Sequence, residues 1–117
     1  MSFDWKDYVY LAEDLLNQTE ESYLRSSISR AYYGVFCMAR NKKDYKNYTG
    51  SDNIHWKVIN EYKSSSSRNE QNIGRILDSL RKSRNDADYN EDRPINKVFA
   101  ERVVLSAKNI FKSMRIS

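Results

Sequence analysis

Residues 24–40 read LRSSISRAYYGVFCMAR, and the spacing of their apolar members decides the fold. Leu24, Ile28, Ala31, Tyr32, Val35 and Ala39 recur at steps of three and four, which places them on one face of an α-helix. Phe36 and Met38 widen the apolar surface beyond that stripe. A helix apolar over so much of its circumference is central in a bundle, or faces both a core and another subunit. This helix is expected over roughly 20–41.

The same periodicity recurs on either side. Trp5, Tyr8, Leu11, Ala12, Leu15 and Leu16 predict a first helix over roughly 3–18, with Ser2 or Asp4 as its cap. The stretch NKKDYKNYTGSDN (41–53) breaks the pattern and reads as a loop turning at Gly50. A shorter helix at roughly 53–63, capped by Asp52 or Asn53, turns Ile54, Val58, Ile59 and Tyr62 inward. KSSSSRNEQN (63–72) reads as a mobile polar connection. A fourth helix over roughly 70–90 carries Ile73, Ile76, Leu77 and Leu80. Pro94 suits the first turn of a fifth, whose face holds Val98, Phe99, Val103, Ala107, Ile110, Phe111 and Met114. The expected fold is all-α: one domain spanning 1–117, an antiparallel bundle of about five helices.

Composition agrees. Three Gly and one Pro in 117 residues are too few turn-formers for a many-stranded β fold. No apolar run is long enough to span a bilayer, and the opening MSFDWKDYVY lacks the pattern of a signal peptide. Cys37 is the single cysteine, so no internal disulfide can form, and a cytoplasmic setting is expected. The net charge of +4 is unevenly spread. Residues 1–39 hold three Lys/Arg against six Asp/Glu, 40–68 hold seven against three, and 69–117 hold ten against seven. That bias toward the last two-thirds suits a nucleic-acid surface or an acidic partner.

On the fourth helix Ile73, Leu77, Leu80, Arg84 and Ala87 or Asp88 share one side, so an arginine stands where the apolar stripe should continue. Burying a guanidinium without partners costs several kcal/mol. In one reading Arg81, Arg84 and Asp88 form an ion-pair network inside the monomer. In the other, Arg84 is held toward solvent for a catalytic role.

Taken together, SSISRAYYGVFCMAR (26–40) and LRKSRNDADY (80–89) resemble the HEPN domain family, and most closely its short members with Ala-Asp-Tyr in the fourth helix. The likeness covers most of the chain and includes His55 after the variable loop. It implies a helical homodimer that engages RNA or nucleotides within toxin–antitoxin or phage-defence systems, with a nucleotidyltransferase as protein partner. Active members resemble metal-independent endoribonucleases in which the 2′-hydroxyl attacks the adjacent phosphate. Their Arg steadies the developing charge and a His four to six residues later moves the proton. Arg84 fits the Arg position, and Asn85 matches the polar residue that often follows. Asp88 would orient Arg84, while Tyr89 stands where the His is expected. A phenol titrates near pH 10 and is a poor general base at pH 7. The resemblance therefore implies phosphate binding more strongly than turnover, with weak ribonuclease activity as its catalytic form.

Arg81, Arg30, Tyr33, Lys42, Lys43, Lys46 and His55 are the candidate nucleic-acid contacts. Between 40 and 63 basic residues alternate with Tyr45, Tyr48, Trp56 and Tyr62, as a phosphate-tracking, base-stacking strip would require. The alternative is a solvated loop whose tyrosines fold back onto the bundle. Tyr32 is expected in the core. Arg30 either bonds a carboxylate such as Asp88 or joins Tyr33 at a cleft rim. Neither a metal nor a cofactor is expected, because one Cys and one His make no ligand set. Gly34 is read as permitting close helix approach. The rival function is a pure interaction module that docks a protein on the apolar surfaces of the second and fifth helices.

Overall fold

A computed structural model describes residues 2–116. Its helices are α1 (Lys6–Leu15), α2 (Glu21–Lys42), α3 (Ile54–Lys63), α4 (Arg68–Tyr89) and α5 (Lys97–Ile116), and no strand occurs among the described residues. The expected all-helical bundle is what forms.

α2 is the central element. It packs against α1, α4 and α5, while α3 lies chiefly against α4. Leu24, Ile28, Ala31, Tyr32, Val35, Phe36 and Ala39 are all buried, so its wide apolar surface is consumed within one chain. α4 contributes Ile73, Leu77 and Leu80, and α5 contributes Val103, Val104, Ala107, Ile110, Phe111 and Met114. Gly34 sits where α1 crosses α2. A Cβ there would meet Val9 Cγ2 at 2.9 Å and the Trp5 carbonyl oxygen at 3.1 Å. Only glycine lets the two backbones approach so closely.

Several boundaries differ from the sequence expectation. α1 begins at Lys6, where Asp4 Oδ1 accepts the Lys6 N–H at 3.1 Å. Asn53, rather than Asp52, caps α3, accepting from the N–H groups of His55 and Trp56. The serine run is a capping device: Ser67 Oγ accepts the Glu70 N–H, and Ser65 Oγ donates to Glu70 at 2.6 Å. α4 therefore starts at Arg68, and the connection shrinks to residues 64–67. Pro94 lies before α5 rather than in its first turn, because Asn96 caps that helix through the Phe99 N–H at 2.8 Å. Val98, expected to face inward, is 64% exposed. No helix among the described residues is long and apolar enough to cross a membrane.

Candidate functional site

Arg84 projects from α4 into a nest of rings. Its Cζ lies 5.3 Å from the ring centre of Tyr32, 5.2 Å from that of Tyr33 and 5.9 Å from that of Tyr89. The negative faces of these rings attract the cation, each by roughly 0.5–2 kcal/mol. That offsets part of the cost of taking a guanidinium out of water. Arg84 is only 6% exposed. The expectation that it is held toward solvent is thus corrected, because three tyrosines, two of them on α2, close over it.

The intramolecular ion-pair network forms only in part. Arg84 Nη1 stands 4.0 Å from Asp88 Oδ2, at the limit of an ion pair. Asp88 instead accepts a hydrogen bond from Ser29 Oγ at 3.2 Å. The Nε atoms of both Arg81 and Arg84 are buried without a hydrogen-bond partner. Two cations on adjacent turns of α4 thus share one ion-pair contact within 4.0 Å among the described residues, and two Nε donors are left unused. Unused buried donors are uncommon in folded chains and call for an explanation.

His55 belongs to the same cluster. Its ring stacks on Phe36 at 4.3 Å and on Tyr32 at 5.7 Å, and meets Tyr33 edge-on at 6.0 Å. Its Nδ1 is 2.6 Å from the Tyr32 hydroxyl. Burial, reinforced by the charges of Arg81 and Arg84, pushes its pKa down to about 4. At neutral pH the imidazole is therefore uncharged. Burial also raises the Tyr32 phenol well above its ordinary value, despite the two guanidiniums. Tyr32 sits fully in the core, as expected.

The other predicted residues scatter. Tyr89 is 76% exposed and covers Arg84 from the solvent side. Asn85 is exposed on α4. Arg30 joins neither Asp88 nor the Tyr33 cluster: Nη1 donates to the Tyr8 hydroxyl at 3.2 Å, and the guanidinium lies over that ring. In the basic segment, Lys43 bonds both Glu70 carboxylate oxygens, Lys42 donates to the Met114 carbonyl, and Lys46 is exposed. Tyr45 donates to Glu61 and Tyr62 to the Ala39 carbonyl. The tyrosines fold back onto the bundle, and of the segment's aromatic side chains Trp56 is the one left widely exposed.

Two cavities flank the cluster. On the Tyr89 side, a hollow of about 490 Å³ is lined by Glu21, Arg25, Ala87, Asp88, Tyr89 and Glu91, with three carboxylates against one guanidinium. On the α3 side, a cavity of about 190 Å³ is lined by Trp56, Ile59, Asn60, Lys63, Asp78 and Arg81.

Sequence reasoning missed Arg25. Its Nη1 donates to the carbonyls of Asp86, Ala87 and Asn90, its Nη2 to that of Arg93, and its Nε bonds Glu21 at 2.8 Å. α4 has no basic residue in its own last turn, so Arg25 supplies the positive charge that a helix C-terminus favours. The absence of a basic residue there was the signal available in the sequence.

Among the described residues no group of three or more His, Cys, Asp or Glu side chains is arranged to hold a metal ion. Comparison with known proteins finds no matching protein-family model, curated protein or solved structure.

Proposed function

We propose that the chain is an HEPN-like protein that binds the phosphates of RNA or of a nucleotide beside Arg81 and Arg84. The observation that supports this reading is the pair of buried Nε donors left without acceptors. A buried cation whose one counter-charge stands as far off as 4.0 Å is poorly compensated, and a phosphate brings further negative charge and oxygens in the planar geometry a guanidinium matches. The two arginines divide the work. Arg81 lines an open cavity and makes the direct contact. Arg84, enclosed by rings, contributes its field from behind.

Turnover is the weaker part of the same reading. His55 is neutral at pH 7, but with a pKa near 4 it is a feeble base, and its Nδ1 is engaged by Tyr32. Binding without efficient cleavage is the expected behaviour. Homodimer formation and a nucleotidyltransferase partner belong to this proposal too.

RNA binding measured by fluorescence anisotropy against rising salt tests the core claim. Binding is expected to weaken steeply with salt, and Arg81→Ala to reduce both affinity and the salt slope. Binding that ignores Arg81→Ala overturns the reading.

A second reading, a protein-interaction module, is favoured by one feature. A groove of about 470 Å³ between α1 and α5 is lined by Leu16, Val98, Val104 and Leu105, with Val98 and Leu105 well exposed. Loss of partner capture in Leu105→Lys, with RNA ignored by the parent at low salt, is the outcome that selects it.

A further inference from the structure

The cavity beside Arg81 has walls of a particular kind. Trp56, Asn60 and Lys63 stand four and three residues apart on α3, hence on one face, and Asp78 and Arg81 stand three apart on α4 opposite them. Ile59, 4% exposed, belongs to the apolar floor. Trp56 is 51% exposed, an unusual exposure for a residue whose large apolar surface normally draws it inward. The backbone that carries it is well placed: Trp56 lies in the first turn of α3, its main-chain N–H accepted by Asn53 Oδ1 at 3.4 Å, directly after the His55 that is stacked into the arginine cluster.

These walls supply what an unpaired nucleotide needs. An exposed indole offers a stacking face to any base. The Asn60 amide carries both a donor and an acceptor for a base edge. Arg81 lines the same cavity, so a phosphate attached to the stacked nucleotide falls within the field of its guanidinium. Charge excludes the other approach to the cluster, because the hollow beside Tyr89 is lined by three carboxylates and an arginine already bonded to four carbonyls.

Resting on the phosphate-binding reading above, we infer that the α3–α4 cavity is a nucleobase subsite. There Trp56 stacks one unpaired base while Arg81 holds its phosphate, so that the ligand is single-stranded RNA. A base inside a duplex presents no free face and does not enter.

The test uses Trp5→Phe, which leaves Trp56 as the single indole. At low salt this chain is titrated with a ten-nucleotide mixed-sequence single strand, a ribose-phosphate strand of equal length lacking bases, and a duplex. Trp56 fluorescence should quench with the single strand, and that strand should bind about tenfold more tightly than the abasic one, the scale of one stacked base. Adding Trp56→Leu should abolish this preference while leaving abasic binding unchanged, and Trp56→Phe should retain part of it. Equal binding of single and abasic strands overturns the subsite and leaves the phosphate reading standing. A preference that survives Trp56→Leu also overturns it, since the base is then read elsewhere. If neither strand binds, both readings fall.

Discussion

The Tyr32 hydroxyl and His55 Nδ1 lie 2.6 Å apart at the edge of the core, tying the first turn of α3 to the middle of α2. Protonating that imidazole places a third positive charge beside Arg81 and Arg84. Folded His55 titrates near 4, whereas an unfolded histidine titrates near 6.5. The folded state therefore binds this proton more weakly than the unfolded state. The stabilisation from neutral His55 is complete above pH 6.5 and drains away as pH falls toward 4. Allowing for solvent screening, the loss is about 2 kcal/mol. Chemical denaturation at pH 7.0 and 4.5 should show it, and His55→Gln should flatten that limb. An equally steep decline in His55→Gln would assign the acid sensitivity to the carboxylates instead. Glu70, whose pKa is lowered by Ser65 and Lys43, is one whose contribution is lost only as pH falls further.

Arg84 separates packing from charge. Arg84→Met keeps most of the volume and removes a cation with one ion-pair contact, at 4.0 Å. Replacing a poorly compensated buried charge by an apolar side chain is often neutral or stabilising by about 1–3 kcal/mol. Arg84→Ala leaves a hole among the tyrosines and should cost about 2–3 kcal/mol. Thermal melts should rank Met at or above the parent, with Ala below. RNA affinity should fall in both. A Met variant that melts well below the parent would show that the guanidinium itself holds the fold together.

Arg25→Ala should be among the most damaging surface changes. It strips hydrogen bonds from four carbonyls at the end of α4. Hydrogen bonds from a charged donor are worth about 1.5–3 kcal/mol each, but they share one side chain, so about 2–4 kcal/mol in total is expected. Arg25→Lys should recover only part, since an ammonium cannot reproduce the fork. Urea melts give the magnitude, and hydrogen exchange at residues 88–93 should quicken.

Gly34→Ala tests the helix crossing. Alanine gains about 1 kcal/mol of helix propensity. Its Cβ, however, would sit 3.1 Å from the Trp5 carbonyl oxygen and 3.2 Å from Tyr8 Cβ, positions fixed by the α1 backbone. Overpacking costs about 1–3 kcal/mol, so a net loss of about 1 kcal/mol is expected in thermal melts. Gly74→Ala should behave likewise, because its Cβ would meet the Lys63 backbone nitrogen at 2.7 Å. A stabilised Gly34→Ala would mean that α1 slides freely on α2.

How far the sequence could be read follows from how far each interaction reaches. The α2 stripe from Leu24 to Ala39 announces its burial because helix periodicity is local. The start of α5 was misplaced because Pro94 suits a first turn, while the Asn96 side chain, two residues on, actually satisfies the first-turn N–H of Phe99. Arg84 was correctly singled out as anomalous. Its surroundings were not legible, since Tyr32 and Tyr33 lie some fifty positions earlier and nothing local predicts that their rings close over it. The basic–aromatic alternation of 40–63 suggested one strip, yet Glu61, Glu70 and the Ala39 carbonyl take up Tyr45, Lys43 and Tyr62. Trp56, by contrast, stays half exposed at the mouth of the α3–α4 cavity.

The Arg25 clamp also sets an order of events during synthesis. The carbonyls it gathers belong to residues 61 to 68 positions downstream, so the guanidinium is made well before its acceptors exist. The end of α4 can be tied down only once the N-terminal half is in contact with it. A fragment beginning at residue 64 would lose both this clamp and the α2 and α3 surfaces on which α4 packs, and its α4 should be far less helical than in the whole chain.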